Sequence, residues 1–105
     1  MTGLIKSVSS VATTNDYADL IAVEVPTFVK EVLIWLKEEN TNAIKYIIYG
    51  SQDNSRWETL LAETVLAKNG STYETVKEPW LYLKVQHKAS VGGTQGATTC
   101  FMTGM

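Results

Sequence analysis

The chain has 105 residues, 45% hydrophobic and 19% charged, a composition that excludes a disordered or low-complexity tract and fits one domain over residues 1–105. At this length roughly 65% of the unfolded surface is buried on folding, enough for a core without disulfide or metal staples. Nine basic residues against eleven acidic ones leave a net charge of −2, so no field of one sign gathers nucleic acid or anionic lipid, and neither is expected as a partner.

Met1 to Lys6 lacks a basic start, an apolar run and a cleavage site, so it does not read as a signal peptide, and synthesis in a cytoplasm is expected. Leu4 to Thr13 and Leu20 to Val25 read as short strands separated by the polar Thr14-Asn15-Asp16. The apolar-leaning stretch Leu20 to Leu36 is broken by Glu24, Pro26, Lys30 and Glu31, which excludes a bilayer-spanning helix, and no membrane partner is expected. Residues 28–37 fit two periods: Phe28, Val29, Val32, Leu33 and Leu36 have helical spacing, while Phe28, Val32, Ile34 and Leu36 share one face of a strand. The strand is preferred because the neighbouring segments are strands and Thr27 is the one N-cap on offer.

Ile44 to Tyr49 is a strand rich in β-branched and aromatic residues, stopped by Gly50. Leu60 to Lys68 is open between strand and a short helical turn. Asn69-Gly70 suits a tight reversal, so Ser71 to Val76 and the segment before it should be neighbours or should join two sheets. Pro79 introduces Trp80 to His87, in which Leu81, Leu83 and Val85 alternate with Tyr82, Lys84 and Gln86, before a loop at Ser90-Val91-Gly92-Gly93. Ala97 to Thr103 has strand composition and is expected to pair with the strand before it as a C-terminal hairpin. Many short strands with frequent turn signals predict an all-β fold, a two-sheet antiparallel β-sandwich of jelly-roll-like type.

Groups able to do chemistry are sparse. His87 reads as a neutral surface or rim residue, and Gly-x-Ser-x-Gly and phosphate-cradling glycine loops are absent. The carboxylate pairs Glu38-Glu39 and Asp16 with Asp19 read as solvated charges. Cys100 lies in the apolar run Cys100-Phe101-Met102 and reads as a buried structural thiol. The expectation is a non-enzyme with no cofactor and no metal. Trp35, Trp57 and Trp80 are expected in the core or at its edge. Tyr49 and Tyr82 have the opposite parity from the core positions of their strands; with Asp53, Asn54, Arg56 and Trp57 they form the candidate contact patch. Asp53 and Asn54 carry oxygen donors suited to calcium, but a turn accounts for them without an ion.

The stretch Tyr46-Ile47-Ile48-Tyr49-Gly50-Ser51-Gln52-Asp53-Asn54-Ser55-Arg56-Trp57 resembles discoidin-like (coagulation factor type C) modules, whose comparable stretch is a strand, Gly-Ser, an Asp-Gly or Asp-Asn turn and Trp. Leu81-Tyr82-Leu83-Lys84-Val85 is similar to a later strand of those modules. The resemblance implies a sandwich or jelly roll and a carbohydrate-binding role; the chain departs from it in its shorter length and its single cysteine. In outline it is also similar to small virion proteins of tailed phages, short sandwiches rich in Thr, Ala, Val and Gly. That likeness implies a capsid decoration or accessory protein located in the virion. Its partners would be symmetric copies of itself, trimers among them, and a capsid or tail protein. Met1 to Asn15 and Gln95 to Met105 would then be docking arms or edge strands of the sandwich.

Overall fold

Alternating apolar and polar residues over six to ten positions form eight strands: β1 (Ile5–Ala12), β2 (Ala18–Glu24), β3 (Val32–Glu38), β4 (Ile44–Ser51), β5 (Trp57–Leu66), β6 (Ser71–Val76), β7 (Tyr82–Ala89) and β8 (Ala97–Gly104). They are seen in a computed structural model that describes residues 5–12, 16–26, 29–38, 43–67, 70–89 and 97–104. The strands make two four-stranded antiparallel sheets, in the orders β1-β8-β3-β6 and β2-β7-β4-β5. The first half of the chain pairs with the second as one long antiparallel ribbon, β1 with β8, β2 with β7, β3 with β6 and β4 with β5. Lateral pairing of β3 with β8 and of β4 with β7 rolls that ribbon into two facing sheets, the connectivity of a jelly roll. The expected fold class is what the chain adopts.

The core lies between the sheets and is built from the inward parity of each strand. Val32, Ile34 and Leu36 of β3 and Cys100 and Met102 of β8 face Ile44, Tyr46 and Ile48 of β4 and Leu83 and Val85 of β7, all buried. Each such side chain contributes about 1.5–3 kcal/mol, so central pairs such as β3–β8 and β4–β7 carry much of the stability. Glu38 continues the inward parity of Ile34 and Leu36 and is buried, which corrects the expectation of a solvated charge; Glu39 lies outside the described residues. His87 likewise follows Leu83 and Val85 inward and is fully buried rather than at the surface.

The helix-or-strand choice over 28–37 resolves as strand from Val32, with Lys30 exposed ahead of it and Phe28 outside the described residues. Leu60 to Leu66 resolves as strand too, the closing part of β5, while Lys68 lies outside the described residues. Its misleading spacing has a physical cause: the β4–β5 register shifts between Tyr46 and Ile48 and again between Ile48 and Tyr49. Bulges of this kind add unpaired residues and reset which face a side chain takes, so Leu60, Leu61 and Thr64 fall inward at intervals that mimic a helix.

One expected pairing is corrected. β8 forms no hairpin with β7 but lies between β1 and β3 in the other sheet. Both edges of β7 are taken by β2 and β4, so it has no free edge to offer. Gly50 does not end β4, which continues to Ser51. Its missing side chain admits Trp80: a Cβ there would lie 2.6 Å from Trp80 Cδ2 and 2.9 Å from Leu60 Cδ1. Trp80 and Leu81 precede β7, and Leu81 is exposed while its carbonyl accepts a 2.7 Å hydrogen bond from Val25 N–H.

Candidate functional site

The turn from β4 to β5 is built by two side chains. Ser51 is buried; its Oγ accepts hydrogen bonds from Asn54 N–H (3.0 Å) and Asp53 N–H (3.3 Å) and donates to Asp53 Oδ1 (3.1 Å). Asp53 Oδ1 also accepts from Ser55 N–H (2.9 Å) and Arg56 N–H (2.8 Å), and Oδ2 accepts from Arg56 Nε at 2.9 Å. These bonds, that from Arg56 N–H foremost, hold the Asp53 carboxyl well below the usual carboxylate range. Asn54 takes φ 59°, a left-handed conformation that its short amide side chain tolerates. Asp53 and Asn54 therefore do the work of a turn, and both Asp53 oxygens accept hydrogen bonds within it.

Beyond the turn, Trp57, Tyr49 and Tyr82 share the outer face of β2-β7-β4-β5 and are half-buried. Register sets Tyr49 opposite Lys84, and both Tyr82 and Trp57 opposite Ser51. Lys84 Nζ lies 4.3 Å from the Trp57 ring centroid and 5.5 Å from that of Tyr49, a cation–π pair that covers one face of the indole. A shallow cleft of about 230 Å³ is lined by Ala22, Val23, Glu24, Asn54, Trp57 and Tyr82. On the other side of the turn, an open depression of about 360 Å³ is lined by Gln52, Asp53, Arg56, Glu58 and Trp80. The six predicted contact residues are thus divided: Asn54, Trp57 and Tyr82 line one cleft, Asp53 and Arg56 the other, and Tyr49 sits under Lys84.

Further along the same face the charges are tied to one another. Tyr17 Oη donates to Glu63, Lys45 Nζ pairs with Glu63 at 3.6 Å, and Lys88 Nζ lies 4.8 Å above the Tyr17 ring. Gln86 Nε2 donates to Asp19 at 2.9 Å. Burial, reinforced by the Glu63 carboxylate, pushes the Tyr17 hydroxyl well above its ordinary value. This face is laced with paired charges, with Val65 standing exposed among them.

The opposite outer face is different in kind. On β1-β8-β3-β6, Phe101, Trp35 and Tyr73 are direct cross-strand partners on β8, β3 and β6, forming one row across three strands. Trp35 and Phe101 rings stack with centroids 5.2 Å apart at 50°. Phe101 is 42% exposed, Tyr73 67% and, beside the row, Leu33 40%. Leu33, Tyr73 and Phe101 were not among the predicted contact residues, and Trp35 was expected in or beside the core; it stands half-buried on the outside. The signal was present in the parity of β3, since Ile34 and Leu36 inside require Leu33 and Trp35 outside. Trp80 alone of the three indoles packs against the core as expected, and its Nε1–H finds no partner among the described residues.

The two side chains best suited to chemistry are sealed. Cys100 is fully buried and its thiol is pushed up to about 12 by that burial. His87 has both ring nitrogens buried without a partner among the described residues, and burial lowers its pKa from 6.5. Among the described residues no group of three or more His, Cys, Asp or Glu gathers to hold a metal.

No family model matches the chain, and no curated protein does. Solved structures do. PBSX exported protein XepA superposes with a TM-score of 0.73 at 13% identity, over 96% of this chain and 37% of XepA. PirA superposes with a TM-score of 0.62 at 7% identity, over 95% of this chain and 93% of PirA. The SPBc2 prophage-derived protein YomS gives 0.56 at 9% identity, over 94% and 96%. At such identities the likeness is one of fold: the chain is a jelly-roll sandwich of the kind these proteins share.

Proposed function

We propose that the chain is a non-enzymatic structural protein of a tailed-phage virion, a capsid decoration or accessory subunit that works through protein–protein contacts. The observation that carries this reading is the Phe101–Trp35–Tyr73 row, a contiguous exposed aromatic surface of the kind soluble proteins keep for binding partners. The fold shared with a prophage-derived protein, YomS, supports the phage setting. The sealed positions of His87 and Cys100 support a role without catalysis, because neither can meet a substrate. The test is co-purification. Particles from cells producing the phage that encodes this chain should carry it through a density gradient at a fixed copy number per capsid, counted by quantitative mass spectrometry. Recovery only with the soluble proteins at the top of the gradient overturns the proposal.

A second reading, a carbohydrate-binding module, draws on the cleft where Trp57 and Tyr82 stand beside Glu24 and Asn54. Lys84 already covers one face of the Trp57 ring, a face on which a pyranose could stack, which ranks this reading second. Saturable binding on a glycan array, abolished by Trp57→Ala, would reverse the order.

A further inference from the structure

We infer that the outer face of β1-β8-β3-β6 is covered by the same face of a second copy of this chain, around a two-fold axis running along the Phe101–Trp35–Tyr73 row. The inference rests on the reading of the chain as an assembling subunit and names the surface and the partner through which it first assembles.

Charge is the first argument. Outward positions on β3, β6 and β8 number nine, three to a strand: four are Leu33, Trp35, Tyr73 and Phe101, four are Ser or Thr, and one, Lys37, is charged. The other sheet presents Glu24, Lys45, Glu63, Lys84 and Lys88 outward, a face that water solvates and that a dry contact would have to strip. An apolar, hydroxyl-flanked row complements itself, which is what an isologous contact requires. An axis along the row lays each aromatic residue against its own copy and sets Lys37 over the partner's Leu33 row. The two Lys37 positions are then about four residues, or about 14 Å, apart along the strands, beyond the screening length of physiological salt.

Area is the second argument. Four strands about 4.8 Å apart and about eight residues long at about 3.4 Å each make a face of about 500 Å² in projection. Two such faces bury about 1,000 Å² before side-chain relief is counted, the lower bound that a specific interface has to clear. Sheets stack face to face about 10 Å apart, so the aromatic rings of the two copies fill the gap.

The test is sedimentation velocity with light scattering over a wide concentration range. The wild-type chain should run at twice its 11.6 kDa mass. The double variant Tyr73→Lys, Phe101→Lys should run at the chain mass with self-association weakened at least 100-fold, its urea midpoint confirming that exposed positions were changed without unfolding. As an independent readout, Tyr73→Cys should be captured as a dimer by a short bismaleimide while Glu58→Cys on the other sheet is not; buried Cys100 stays silent. A wild-type monomer at all concentrations overturns the inference, as does a dimer that survives the double variant. In the latter case the chain assembles through another surface and the virion reading stands. That reading fails separately, by absence from particles of a protein that still dimerises.

Discussion

His87 is the chain's only histidine, is fully buried, and has no hydrogen-bond partner for either ring nitrogen among the described residues. Its neighbours in register are Ala18 on β2 and Tyr46 on β4, neither of them a charge that would favour imidazolium. Burial therefore lowers its pKa in the folded chain below the 6.5 of the unfolded one. Between those two values the unfolded state binds the extra proton, so stability is fully present above pH 6.5 and is lost as pH falls through that window. At full slope the loss is about 1.4 kcal/mol per pH unit, hence at most about 2 kcal/mol by pH 5. Urea unfolding between pH 7.5 and 5 measures it. His87→Leu, close in volume and without the unpaired nitrogens, should be more stable at pH 7.5 by about 1–3 kcal/mol and should lose the slope. Working above pH 5 keeps the Asp53 and Glu63 carboxylates, both held below their ordinary values, out of the measurement. An unchanged slope in His87→Leu, or a native imidazole resonance titrating at or above 6.5, refutes the reasoning.

Gly50→Ala should drive a methyl into the Trp80 ring, lowering stability by about 1–3 kcal/mol and shifting indole emission to the red in the folded state. Asn54→Gly should leave the urea midpoint nearly unchanged, whereas Asn54→Val, forced to φ 59°, should cost about 1–2 kcal/mol; equal effects would mean the turn relaxes. Cys100 should resist iodoacetamide in the native state and react fully in urea, and native labelling faster than global unfolding would show that β8 opens locally.

The legibility of this chain follows the range of each interaction. Alternation is local, so β4, β6, β7 and β8 could be placed from Ile44, Ser71, Trp80 and Ala97 onward, whereas β3 fitted both periods and was read as strand from its neighbours and its poor N-cap, which puts Val32, Ile34 and Leu36 on one parity. The same parity rule, carried two residues further, buries Glu38 and His87, whose polar character argued against the interior. The predicted turn was real because Ser51 and Asp53 bond within five residues of themselves.

What the amino-acid order determined by itself was therefore the place of most strands, the all-β class and the chemistry of single turns. Tertiary structure alone decided the partners. Strand choice depends on which edges remain free, so β8 went to β1 and β3 because β7 was already paired on both sides. Bulges in the β4–β5 ladder gave β5 a helical-looking spacing that only its partner strand explains. The row of Phe101, Trp35 and Tyr73 joins residues far apart in the chain. It exists because antiparallel register aligns them on one face, and register is a property of pairs of strands that no single strand carries.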